Sequence, residues 1–226
     1  MPIDLDELLL GEALVRGRPS PIPTAVLTME LQRGVMGDLA SFPALADAAV
    51  AVGLAENAGR LVETARSLEV PVIHCSAEFR ADRAGSAANT PLHAAVLRRP
   101  EHLLEGSASV ELIPEIGPAP DDIVIPRHHG VSPFHGSSLD PVLRNLGVQT
   151  LIVTGVSINL GVLGLCIEAV NLGYQVVVAT DAVCGVPADY AQQVLTESIG
   201  LVGTLATSAA IIDALRSAGQ AGAGSV

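Results

Sequence analysis

Lysine is missing from this sequence: all 12 basic residues are arginine. Without a lysine amine the chain can form no Schiff base on its own side chains and no P-loop phosphate clamp. Tryptophan is absent too, and aromatics amount to 2%. The core must come from Ala, Val, Leu and Ile, a composition that suits β-branched strands covered by Ala/Leu helices. Cysteine is scarce. Cys75, Cys166 and Cys184 are odd in number, with neither close pairing nor zinc spacing, which argues against a disulfide framework and a metal site. Positive charge is scarce as well: the net charge is −12, a field that repels nucleic acid and excludes that function class. No apolar run reaches the roughly 18 residues of a membrane span. The first residues, MPIDLDELLLGEALVRG, are acidic, unlike a signal peptide. A cytoplasmic protein that binds neither membrane nor nucleic acid is expected.

What is present is apolar and regularly patterned. The 226 residues suit one large domain, and 49% are hydrophobic with a mean hydropathy of +0.47. Residues 1–23 read as an N-terminal helix (4–15) and an extended Pro-rich linker, 24–216 as one domain, and 217–226 as a flexible tail. Apolar runs at 24–30, 71–78, 121–127, 150–156 and 174–182 read as strands. Stretches of helical composition separate them: 44–70 as one bent helix or two around Gly53, a helix near PLHAAVLRR, one after Ser138 as a candidate cap, Ile158 to Asn171, and one opened by Pro187. The run ATSAAIIDALRSA reads as a short sixth strand or a helix. Strands alternating with helices predict an α/β fold: a mostly parallel, six-stranded, doubly wound sheet with helices on both faces.

Ligands of an open α/β sheet bind beyond the carboxyl ends of its strands, so strand ends are where chemistry belongs. The first strand ends at Glu30, followed by Gln32. The third ends at Arg127, followed by His128 and His129. The fourth ends at Gly155-Val156-Ser157 and opens a helix whose free N–H groups face outward. An acid, a guanidinium and a set of amide donors can converge there. Each has a plainer reading as a solvated loop residue or a cap, and the adjacent histidines read as surface. Cys166 and Cys184 read as small core residues, and GVSIN lacks the second glycine of a nucleophile elbow.

Three stretches, AVLTMELQRG, PRHHGVSPFHGSSLDPVLRNLGVQTLIVTGV and NLGYQVVVATDAVCG, resemble the isochorismatase-like hydrolase superfamily over roughly Thr24 to Ala209. The resemblance implies its fold and a hydrolytic activity. Many members are cysteine hydrolases of amides, with an Asp on the first strand, a Lys after the third and a Cys in the first turn after the fourth. Here the Asp position holds Glu30, with Gln32 matching a family Gln. The Lys position holds Arg127, and the Cys position holds Gly161. HCSAEF stands where some members carry a metal motif, so no metal and no cofactor are expected. Cys166 lies five residues past Gly161, about 140° around the helix and about 7.5 Å along it, so it cannot replace the thiol.

The isochorismatases proper also lack that cysteine. They cleave a vinyl ether by acid catalysis, and the resemblance therefore implies a cysteine-independent hydrolase of a small anionic substrate. Glu30 would be the proton donor. Arg127 would bind a substrate carboxylate. Gly161 would make room for the substrate, the turn at Val156 and Ser157 would supply amides and a cis peptide bond, and Gln32, Phe79 and Phe134 would complete the site. Two alternatives stand beside it: an inactive member that binds a small molecule, and a hydrolase of C–N bonds with a relocated nucleophile, Ser157 or Ser132 with His128 or His129. Apolar helix faces predict a homo-oligomer, a dimer or a tetramer.

Overall fold

The computed structural model describes Leu5, Leu9, residues 13–15 and 18–20, and residues 24–223. Among these, six strands form one parallel sheet: β3 (Thr24–Met29), β4 (Val72–Ala77), β5 (Ile123–Arg127), β6 (Thr150–Val156), β7 (Gln175–Cys184) and β8 (Thr204–Ala206). A two-stranded antiparallel ribbon, β1 (Ala13–Val15) with β2 (Arg18–Ser20), precedes it. Strands β3, β4 and β6 are buried at every position, which is why their sequences read as continuous apolar runs rather than alternating ones.

The sheet order is β5-β4-β3-β6-β7-β8. The chain winds one way from β3 through β4 to β5, then returns beside β3 and winds the other way. This places the topological switch point between β3 and β6, where the crevice of such a sheet opens. Close approach there is bought by Gly155, whose φ is +117° and whose missing Cβ would lie 2.1 Å from the Met29 carbonyl oxygen.

Helices cover both faces. Along β3, Val26 joins a core with Ala49, Leu54, Leu61, Ile211 and Leu215, while Ala25, Leu27 and Met29 join a second core with Leu139, Leu143, Leu165 and Leu195. This is the two-residue alternation of a strand. The first face is built by α1 (Pro43–Ala51), α2 (Leu54–Ser67) and α7 (Ser208–Ala223), the second by α4 (Leu139–Leu146), α5 (Leu163–Asn171) and α6 (Ala188–Gln193), while α3 (Pro91–Leu97) lies in the long connection between β4 and β5. The stretch 44–70 forms two helices because Gly53 turns left-handed between them, at φ +65°.

Several expectations change in detail. The helix expected over 4–15 falls mostly outside the described residues; Leu5 and Leu9 are helical, but residues 13–15 are a strand. The run ATSAAIIDALRSA divides between the end of β8 and α7, and α7 continues through Ala223, so residues 217–223 are helix and not tail. Ser138 occupies the cap position of α4 without bonding through its side chain; the Ser137 hydroxyl accepts from the Leu139 N–H instead, at 3.1 Å. Between β6 and α5 the chain makes a wide turn of π-helix, Ile158–Val162.

Candidate active site

The carboxyl ends of β3, β5 and β6 do converge. Glu30 follows β3 with a positive φ of 51°, a left-handed backbone that costs a glutamate on the order of 1 kcal/mol. Its N–H is held by the Cys75 carbonyl at 2.8 Å, which fixes the turn and aims the side chain away from the sheet. At the end of β5 the Arg127 guanidinium donates from Nη2 to Glu30 Oε1. The pair is poorly exposed, with side chains 9% (Arg127) and 17% (Glu30) accessible. Arg127 Nε donates to the Gly130 carbonyl at 3.3 Å, whereas Nη1 is buried without a partner. A buried guanidinium N–H left unpaired favours an incoming acceptor.

Both residues line a cavity of about 160 Å³. Its remaining walls come largely from two excursions of the chain. Val35, Phe42 and Leu45 follow β3, and Phe79, Leu92, Val96 and Leu103 belong to the connection between β4 and β5. Ser157, just after the Val156–Ser157 cis peptide bond, closes the floor from β6. His93 and His102 are the other polar walls. The His93 ring nitrogens lie 3.3 Å from the Gly130 carbonyl and 3.0 Å from Thr90 Oγ1. His102 Nδ1 bonds Ser41 Oγ at 2.8 Å. Burial, reinforced by the Arg83 and Arg99 charges, pushes the His102 pKa down to about 4, so its imidazole is neutral at pH 7.

The other expected residues are placed differently. Gly161 is buried outside the lining, and the space its side chain would take is occupied by Met29, whose Cε lies 2.9 Å from the ideal Cβ position. The space beside this glycine therefore holds a methionine methyl, and Gly161 does not line the cavity. Phe134 is packed in the second core, stacked on Tyr174 with ring centroids 5.9 Å apart. Val156 is fully buried in β6, in register with Cys184. Gln32 is also fully buried and committed to backbone: Nε2 donates to the Ala77 and Val110 carbonyls at 2.9 and 3.0 Å, and Oε1 accepts from the Ala77 N–H at 2.8 Å. It ties the end of β3 to β4 and does not line the cavity. Phe79 and Ser157 do line the cavity. The walls that sequence reasoning missed, Phe42, Leu92, Val96 and His102, lie in segments without strand pattern; the apolar i, i+4 spacing of Leu92 and Val96 was the available signal.

Among the described residues, neither Ser132 nor Ser157 bonds His128 or His129. Burial pushes the Cys75, Cys166 and Cys184 thiols up to about 12, which keeps them protonated and unreactive at neutral pH. Cys166 is fully buried in α5 packing. The Ser132 hydroxyl donates to Glu168 rather than to a histidine, and His128 Nδ1 faces the Glu78 carbonyl at 3.1 Å. A chain with the order of a hydrolytic triad does exist: Thr28 Oγ1 lies 2.7 Å from His74 Nδ1, and His74 Nε2 lies 3.0 Å from Asp122 Oδ2. Thr28 and His74 are 1% and 0% exposed and do not line the cavity beside Glu30, so this network is a core brace.

The Isochorismatase domain profile matches residues 24–210. The chain belongs to the isochorismatase family. Its relatives include the ureidoacrylate amidohydrolase RutB of Pseudomonas savastanoi pv. phaseolicola, 29% identical over 201 residues and 80% of each chain. Another is the uncharacterized isochorismatase family protein YecD of Escherichia coli O157:H7, 31% identical over 70% of this chain and 78% of its own. The fold matches a cysteine hydrolase from Pseudomonas syringae pv. phaseolicola with a TM-score of 0.74 at 25% identity, over 92% of this chain and 99% of that one. It also matches, as a fold, the N-carbamoylsarcosine amidase of Thermoplasma acidophilum, with a TM-score of 0.64 over 82% of this chain and 96% of that one, at 24% identity. Membership places this chain among the isochorismatase-like hydrolases.

Proposed function

We propose that this family member hydrolyses a small anionic substrate without a covalent thiol intermediate, with Glu30 transferring the proton and Arg127 binding the anion. The observation that carries this reading is the Glu30–Arg127 ion pair on the wall of a largely apolar cavity, with one guanidinium nitrogen still unpaired. A vinyl ether is the bond such a pair can cleave. The substrate carboxylate accepts from the unpaired Nη1 of Arg127, and Glu30 takes up a proton from solvent. That proton passes to the enol carbon. Water adds to the resulting oxocarbenium carbon and returns a proton to Glu30, and the hemiketal C–O bond then breaks to give a ketone and an alcohol. Arg127 keeps its proton throughout, as a guanidinium must.

The test is Glu30→Gln, which preserves shape and removes the transferable proton. Turnover of a carboxylate-bearing vinyl ether, followed by mass spectrometry, should fall by about 10²- to 10⁴-fold while binding persists. Cys166→Ala should leave turnover unchanged. Undiminished turnover in Glu30→Gln removes the role assigned to the glutamate. A second reading, binding without catalysis, is favoured by Met29 filling the space at Gly161; it predicts ligand-induced stabilisation with no turnover of enol ethers, amides or ureas.

A further inference from the structure

We infer that the ligand of this cavity is a small monocarboxylate whose body is apolar and no larger than about a benzene ring; the inference rests on the anionic-substrate reading above and narrows it to a chemical class.

Charge comes first. Among the described residues lining the cavity, Arg127 is the only arginine. It already faces one carboxylate, Glu30, and has one buried nitrogen, Nη1, left to give. The other two basic side chains of the lining are histidines. His102 is neutral at pH 7 because burial and the Arg83 and Arg99 guanidiniums oppose its protonation. His93 has both ring nitrogens engaged with Gly130 and Thr90. Those two outer arginines are turned away: Arg83 lies over the Phe79 ring, 5.1 Å from its centroid, and donates to the carbonyls of Arg99, Pro100 and His102, and Arg99 lies over the Phe42 ring at 4.2 Å. A dianion would set its second charge against walls that hold no second guanidinium.

Polarity points the same way. The body of the ligand meets Val35, Leu45, Phe79, Leu92, Val96 and Leu103. Beyond Arg127, Glu30 Oε2, the Ser157 hydroxyl and His102 Nε2 are the side-chain polar groups of the lining with no hydrogen bond among the described residues. A polyhydroxylated or ureido body would bury several donors and acceptors unmatched, at roughly 1–3 kcal/mol for each. Size sets the last limit. The cavity measures about 160 Å³, and an apolar cavity of about 150 Å³ accommodates benzene.

The experiment is a calorimetric titration of the intact chain with four probes: benzoate, its neutral isostere benzamide, the dianion phthalate, and the polyhydroxylated monocarboxylate quinate. Benzoate should bind saturably and raise Tm. Each of the other three should bind at least about tenfold more weakly, as expected for losing one hydrogen bond to a charged group or burying an unmatched one. In Arg127→Gln, checked for folding by circular dichroism, the preference for benzoate over benzamide should vanish. Phthalate, quinate or benzamide binding as tightly as benzoate overturns the inference, as does an absence of saturable benzoate binding; the wild-type panel decides this even if the variant fails to fold. The outcome is separable from the hydrolytic reading. The expected preferences without turnover of any carboxylate vinyl ether remove the hydrolase and keep the ligand class. Efficient turnover of a dicarboxylate vinyl ether keeps the hydrolase and removes the ligand class.

Discussion

At position 161 a glycine faces a methionine, and the pairing decides what the site can become. The Met29 methyl sits where a first side-chain atom would go, so the family's thiol position is occupied by the protein's own core. Met29 Cε is the free end of a flexible chain and can rotate aside at small cost. Gly161→Cys should therefore fold, yet its thiol should alkylate slowly with iodoacetamide and confer no amidase activity; rapid alkylation under native conditions would show the space to be open. The two phenylalanines expected as walls divide for a reason that sequence does not carry. Phe79 pairs by an isolated bridge with Leu104, which brings it over the crevice, whereas Phe134 follows β5 and falls beneath α4 onto Tyr174. Glu30 and Arg127 were legible because a strand end is a position in sequence as well as in space. Met29 was not, because the direction of a buried side chain depends on neighbours distant along the chain.

Among the elements, the connection between β4 and β5 and the segment after β3 do the most to shape the cavity, and Gln32 joins them. Its amide bridges Ala77 at the end of β4 and Val110 in the connection. The neighbouring backbone continues the seam, with Arg33 N–H on the Glu111 carbonyl at 2.8 Å and Ile113 N–H on the Leu31 carbonyl at 3.0 Å. Gln32→Leu would leave two carbonyls and one N–H buried without partners. A loss of about 2–4 kcal/mol is expected in urea unfolding, together with a higher KM, since the walls carried by the connection would shift relative to Arg127. A fully stable variant would show that the seam holds without the amide. The same glutamine was expected at the ligand because it aligns with a family residue; its spacing from Glu30 placed it at the right strand end, but only the fold shows that it faces the neighbouring strand.

For the molecule as a whole, pH dependence follows from its buried histidines. His102 titrates near 6.5 when unfolded and near 4 when folded. Its neutral form therefore contributes stability that is complete above about pH 6.5 and is lost as pH falls toward 4, by at most about 3 kcal/mol. His74 adds to the loss in the same direction, since burial depresses its pKa despite the Asp122 carboxylate. Asp122 acts at lower pH. Burial pushes it up, but the bonds from Arg66, the Ala119 N–H and His74 hold it below the usual range, so its contribution persists above about pH 4 and fails only as the acid itself protonates. Scanning calorimetry should show Tm falling between pH 6.5 and 4. In His102→Gln that fall should be smaller by about 5–10 °C; an unchanged slope would mean that His102 is not buried neutral.

The sequence by itself determined five of the strands and put Glu30 and Arg127 at strand ends, because period, strand ends and turn residues are local properties of the chain; the sixth strand, Thr204–Ala206, was left open between strand and helix. Only the tertiary structure decided that Gly161 is filled, that Gln32 is a brace and that Phe42, Val96 and His102 bound the cavity. Those outcomes depend on which side chains from distant segments compete for the same volume, and close packing across a β-sheet settles that competition only after the chain has folded.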